Sequence, residues 1–277
     1  MADSGYTLTI KPRSGWIGIN VRELWRFREL FYIFAWRDFK VRYKQMAIGV
    51  AWAVLQPFVA MVIFSVFFGG LAKIPSDGIP YPIFVYSGLL FWNYFSHSLG
   101  AAGNSLISNE SILKKIYFPR LLLPLSATIT PLVDFAFALV VLAGIMVYYQ
   151  FVPSLVGVLL LPVLVLLSFL SASGLGAFLA AINVRYRDVR EALPFVIQTL
   201  FFVTPVIYPT TLLPERFRWL LGLNPMTGVI EAARAGIVQD RSVNVQLLLV
   251  SAAIAVTFFL VGIFYFRRTE RVFADVA

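Results

Sequence analysis

The sequence predicts an all-α integral membrane protein with six transmembrane helices, and three observations carry that reading. Apolar residues make up 60% of the chain and charged residues only 13%, where soluble domains carry about 25% charged. The charges lie between long apolar runs, each close to the roughly 20 residues that cross a bilayer as a helix. Lysine and arginine also segregate: segments 1–47, 107–120, 183–192 and 267–277 hold 9, 3, 3 and 3 of the 23. Basic residues gather on the cytoplasmic side of membrane proteins, so six spans with both ends cytoplasmic fit this distribution. A seventh span would carry Arg267, Arg268 and Arg271 outside.

Residues 1–21 form a polar tail with no apolar core, which is not the pattern of a cleavable signal peptide. Residues 22–47 place Leu24, Phe27, Phe31 and Phe34 at helical spacing, with Arg22, Arg26, Arg37, Lys40, Arg42 and Lys44 supplying charge. This predicts an amphipathic helix lying in the membrane interface. Around Phe39, Val41 and Tyr43 a period of two competes with the helical one.

Residues 48–266 carry the spans. The first runs over about 49–71, and the second lies between Asp77 and Glu110 with His97 as its ionisable group. Between Arg120 and Arg185 there is one charge, Asp134, and the stretch suffices for two spans, near 125–149 and 155–182. Tyr148 to Pro153 is an interfacial turn between them. The fifth span, 193–208, is short and ends in Pro205 and Pro209, which lack the amide proton a helix needs. Residues 217–238 contain Arg218, Asn224, Pro225, Glu231 and Arg234, so they read as re-entrant or surface helix. The sixth span covers about 247–266, and residues 267–277 form a cytoplasmic tail.

Several chemistries are excluded. The chain has no cysteine and one histidine, which leaves no disulfide, no thiol nucleophile and too few ligands for a metal site. A net charge of +9 would suggest nucleic acid for a soluble protein, but these charges alternate with membrane spans. No phosphate loop, His-Glu-x-x-His or Gly-x-Ser-x-Gly is present. If the protein works with ATP, another polypeptide must hydrolyse it. Two short basic loops that carry aromatic residues, 109–120 and 183–191, are suited to meet such a partner, although ordinary positive-inside loops have the same composition.

Trp36-Arg37-Asp38-Phe39-Lys40-Val41-Arg42-Tyr43-Lys44-Gln45, followed by Gly49-Val50-Ala51-Trp52 and Leu55-Gln56-Pro57, resembles the start of the permease subunits of ABC-2 type polysaccharide exporters. Lys115-Ile116-Tyr117-Phe118-Pro119-Arg120 with Pro124 is similar to that family's first cytoplasmic loop, and Asn183 to Asp188 to its second. Thr204 to Pro209 and Asn224-Pro225-Met226-Thr227 resemble the segment between its last two spans. The resemblance implies a bacterial inner-membrane homodimer, paired with two copies of a separate ATPase that holds the ATP and Mg. It also implies a lipid-linked glycan as substrate, such as O-antigen, capsule or teichoic acid. Glu110, Lys114, Lys115, Tyr117, Phe118, Arg120, Arg185, Tyr186, Arg187 and Asp188 carry over as coupling residues.

Three further expectations come from the residues. Arg37, Lys40, Arg42 and Lys44 lie beside the first span, where they can receive a pyrophosphate head group or attract anionic lipid. Trp92, Tyr94, Phe201 and Phe202 are candidate conduit aromatics able to stack on sugar rings, in a bilayer where aromatics are common anyway. Asp134 reads better as a contact to another helix, or as a site near the membrane edge, than as a proton-coupling group, His97 as a packed or hydrogen-bonded residue, and Glu231 with Arg234 as a pair three apart. The rival classes are an ABC-2 exporter of a small lipid or drug, an ion-coupled carrier and a membrane-embedded glycosyltransferase. The last two need intramembrane ionisable groups or clustered acids that the sequence lacks.

Overall fold

A computed structural model describes residues 21–44, 50–186, 188–237 and 242–270. The tail 1–20, Arg187, Arg241 and Arg271 lie outside the described residues. Every regular element among the described residues is helical.

Two helices, α1 (Val21–Arg26) and α2 (Arg28–Lys44), precede the bundle. The helical period holds through Lys44, so the competing period of two around Phe39 is not used. The stripe from Leu24 to Phe34 turns inward onto protein, while Trp25, Tyr32, Ile33 and Trp36 are exposed. The apolar face read as membrane-seeking therefore packs on the bundle, and the aromatic face opposite it is the free one.

The chain continues as α3 (Val50–Phe64), which loosens into a π-helix over Ser65–Leu71. Next comes α4 (Tyr81–Ser108), with Pro82 in its first turn, where a missing amide proton costs nothing. A short α5 (Glu110–Leu113) leads to α6 (Leu122–Ala127) and α7 (Thr130–Tyr148). Gln150, with φ 56°, closes the α7 turn. Ser154 caps α8 (Leu155–Arg185) by accepting from the Gly157 amide at 3.0 Å. Then follow α9 (Asp188–Val203), a 3-10 turn (Thr210–Leu212), α10 (Glu215–Gly222), α11 (Pro225–Ile237) and α12 (Val245–Thr269). Asn244 caps α12 through the Leu247 amide at 3.0 Å.

Val54–Leu71, Leu122–Tyr148, Leu155–Arg185 and Val245–Thr269 are long and apolar enough to cross a membrane. Length and composition therefore yield four spans where the sequence reading counts six. α4 has the length, 28 residues, about 42 Å at about 1.5 Å per residue. It lacks the apolarity because it is the centre of the bundle, with Ser87, Ser98 and Ser105 buried against neighbouring helices. α9 has only 16 residues, about 24 Å. It also starts five residues before the predicted 193, because Asp188 and Glu191 sit in its first turn, where carboxylates favour the helix dipole.

The main core is built on α4 with residues of α3, α7, α8, α9, α11 and α12. α11 is buried along its length inside this core, so it is not a surface helix. The helices approach closely at small residues. A methyl group at Gly262 would overlap the Gly174 carbonyl, and one at Gly157 would overlap Gly236. Such small-residue contacts hold helices together in lipid, where apolar surface alone gives no drive to associate.

Candidate functional site

A second, smaller core joins Phe34 of α2, Leu106 of α4, Phe118, Leu121 to Leu123, Ala177, Ala180 and Ala181 of α8, and Ile263 and Phe266 of α12. It gathers both predicted coupling loops at one end of the bundle. Phe118 is buried and its ring lies 5.3 Å from that of Phe34. Arg120 binds the end of α12: its amide donates to Glu270 Oε1 at 3.0 Å and its guanidinium to the Glu270 carbonyl at 3.3 Å. Lys114 pairs with Glu110 at 2.6 Å on an exposed helical turn. Lys115 is exposed. The tip of the first loop is open, with Tyr117 89% exposed. In the second loop Tyr186 is 53% exposed, with Arg185 over its ring at 5.4 Å, and Asp188 is exposed on α9. Asn183 ties this loop to α4 by donating to the Gly103 carbonyl at 3.0 Å. Each loop thus has a buried root and an exposed aromatic tip.

The four basic residues of α2 do not form one cluster. Arg37 pairs with Asp38 at 2.7 Å and lies over the Phe34 ring. Lys40 sits 5.3 Å from the Trp36 ring centre, and Lys44 is exposed. Arg42 alone turns inward, to Asp134 of α7 at 2.5 Å. Tyr43 donates its hydroxyl to the other Asp134 oxygen. Burial and this hydrogen bond push the Tyr43 phenol well above its ordinary range. Asp134 is therefore a helix-to-helix contact, as the sequence suggests. The pair borders a cavity of about 60 Å³ between α2, α3, α4 and α7, with Gln56, Asn93 and His97 also on its wall.

The candidate aromatics divide between two faces of α4. Trp92 is buried against Phe201 at 5.6 Å, and Phe201 meets Phe202 at 5.4 Å and Phe64 at 6.0 Å. Phe202 is 60% exposed. Tyr94 faces the other way, toward Phe135 at 5.9 Å and the Asp134 cavity. Trp92, Phe201 and Phe202 thus form one aromatic run that opens outward, and Tyr94 belongs to the charged cavity.

Sequence reasoning missed the role of Arg234. Its pairing with Glu231 is present at 3.5 Å. The fully buried guanidinium also donates to the carbonyls of Pro205 at 2.7 Å and Val206 at 2.6 Å, where α9 has ended. It reaches the Phe84 carbonyl at 3.3 Å and lies 3.6 Å from the Phe84 ring centre. Backbone groups freed by a broken helix must find partners inside the bundle, and Arg234 supplies them. The available signal was an arginine between apolar residues, some thirty positions after a proline-broken span.

Comparison with known proteins accords with this geometry. Residues 29–238 match the ABC-2 type transporter family. The O-antigen export system permease protein RfbA of Myxococcus xanthus is 31% identical over 258 residues, covering 92% of this chain and 98% of that protein. The RfbA permease of Klebsiella pneumoniae is 26% identical over 248 residues, 90% of this chain and 95% of that protein. The polysialic acid transport protein KpsM of Escherichia coli is 22% identical over 239 residues, 84% of this chain and 91% of that protein. A family match that spans both loops, the Asp134 cavity and the Arg234 lock in one continuous stretch has a single meaning: the chain belongs to the ABC-2 type transporter membrane family.

Proposed function

We propose that this chain is the membrane subunit of an ATP-driven exporter of a lipid-linked polysaccharide across the bacterial inner membrane. The observation that carries the reading is the likeness to an O-antigen export permease along 98% of that protein's length. In this reading the chain hydrolyses nothing itself. It forms a homodimer and receives work from two copies of a separate ATPase, which bind ATP and Mg. The basic end of the bundle faces the cytoplasm together with both termini, and the chain passes the membrane six times, α4 and α9 crossing inside the assembly. The exposed tips around Tyr117 and Tyr186 are the docking points. Because Phe118 and Arg120 root the first loop in α2 and α12, a push on the tip is delivered to two helices at once.

Affinity purification of the chain from its native membrane, with mass spectrometry, tests the partnership. Co-purification of an ATPase carrying a phosphate loop is the expected result. Deletion of the chain should leave lipid-linked glycan inside the cell. An ATPase partner with unchanged glycan export would point instead to a small lipid or drug as cargo. Transport that survives ATP depletion would overturn the ATP-driven reading.

A further inference from the structure

The last turn of α12 carries two arginines that behave in opposite ways. Arg268 is exposed, as a long cationic side chain at a membrane edge ordinarily is. Arg267 is only 8% exposed, and its Nε and Nη2 are buried with no hydrogen-bond partner among the described residues. Those two nitrogens form the edge with which a guanidinium grips a carboxylate. The group keeps its charge at physiological pH, so an empty, buried gripping edge is unfavourable. Ile263, Phe266, Arg267 and Glu270 recur at spacings of three and four and so share one face of the helix. Helical conformation continues through Glu270 (φ −52°, ψ −29°), and Ile263 and Phe266 set this face into the smaller core. A carboxylate therefore lies one turn from the empty fork, yet it is engaged elsewhere. Glu270 Oε1 accepts from the Arg120 amide at 3.0 Å, and the Glu270 carbonyl accepts from the Arg120 guanidinium at 3.3 Å.

We propose that Glu270 is a two-position latch: its carboxylate holds the root of the first loop through Arg120, and passes to the Arg267 fork when the loop is displaced. A forked grip uses both oxygens of a carboxylate. With Oε1 committed to the Arg120 amide, Glu270 cannot satisfy both donors of Arg267 at once, so the two arginines compete for one acid. Burial makes the competition matter. A loop that simply pulled away would strand a carboxylate at the edge of the core, whereas here the acid has a cation one turn back on its own helix. The same handover fills the fork that stands empty while the loop is held. The loop root is thus released at a lower cost than its hydrogen bonds alone imply, with Phe118 still seated on Phe34 as the pivot. Arg267 acts here through Glu270, as a positioning residue for the loop.

The test is hydrogen exchange of the full-length chain in detergent micelles, read by mass spectrometry on overlapping peptides that isolate the Arg120 amide. That amide is itself the latch donor, so its exchange rate reports how often the latch opens. Arg267→Met removes the receiving fork and should slow exchange at Arg120 roughly tenfold, the weight of one hydrogen bond to a charged group. Exchange along α4 and α8 should not change. Arg267→Lys keeps the charge without the fork and should fall between methionine and wild type. Glu270→Gln should speed exchange at Arg120, and adding Arg267→Met to it should change nothing further. Unchanged exchange in Arg267→Met overturns the latch. So does a slowing of equal size in the presence of Glu270→Gln, which would not pass through that acid, or a slowing spread evenly over the bundle, which would mark general stabilisation. Loss of folded protein in Arg267→Met also overturns it, because an empty fork leaves no contact to lose. No ATPase or glycan enters the experiment, so its failure leaves the exporter reading intact, and failure of that reading leaves the latch standing.

Discussion

Replacing Arg234 with methionine keeps much of the side-chain length and removes the charge and all its donors. Three carbonyls lose a partner: Pro205 at 2.7 Å, Val206 at 2.6 Å and Phe84 at 3.3 Å. Glu231, only 8% exposed, is left without the cation 3.5 Å away. Hydrogen bonds to charged groups contribute about 1.5–3 kcal/mol each, and relief of guanidinium desolvation offsets part of that sum. Removing one member of a buried pair costs about 3–5 kcal/mol on balance, and we expect Arg234→Met to fall in that range. Lysine has a single ammonium that cannot reach all three carbonyls from one position, so Arg234→Lys should recover only part of the loss. Glu231→Gln combined with Arg234→Met should be less destabilised than the separate losses added together, by about 0.5–3 kcal/mol of coupling. The assay is unfolding in mixed micelles by SDS titration, followed by tryptophan fluorescence. A midpoint for Arg234→Met within about 0.5 kcal/mol of wild type, the range of a surface substitution, would refute the claim that this residue locks the broken end of α9 to α4.

Four other outcomes follow from the same structure. Tyr117→Ala, at a site 89% exposed, should leave unfolding unchanged but weaken retention of the ATPase on the affinity column. Phe118→Ala, one residue on but buried against Phe34, should cost about 3–5 kcal/mol in the SDS titration. Gly262→Val would drive a side chain into the Gly174 carbonyl and should abolish folded protein on size-exclusion chromatography, whereas Gly144→Ala, at a position with open space around it, should behave as wild type. Alanine at Trp92, Phe201 or Phe202 should reduce export at normal expression if their aromatic run lines the conduit. Unchanged export in all three would remove that role.

The helices were legible where one chemical pattern determines them. Apolar runs located α3, α7, α8 and α12 to within a few residues, since lipid leaves a spanning backbone no partner but itself. Two elements were misjudged for physical reasons. The start of α9 was set by carboxylates in a first turn, Asp188 and Glu191, not by the beginning of apolarity. The inward stripe of α1 and α2 is the same in sequence whether it faces lipid or protein; only the position of Phe118, Leu121 and Leu122 decides between them.

The site was legible residue by residue but not as an arrangement. Asp134 stood out because a lone carboxylate in an apolar run needs a partner, yet that partner, Arg42, lies in a separate helix and is one of four basic residues with equal claim in sequence. What the fold adds is a connection along α2. Phe34 contacts the rooted loop residue Phe118, and Arg42, eight residues later, holds Asp134 beside the cavity between α2, α3, α4 and α7. Those residues are about 12 Å apart at about 1.5 Å per residue, on one uninterrupted helix of 17 residues. A displacement of the loop tip therefore cannot move the Phe118 root without also moving the helix that carries Arg42. The helix that reads as a membrane float in sequence is in the fold a rigid link between the first loop and the charged cavity at Asp134.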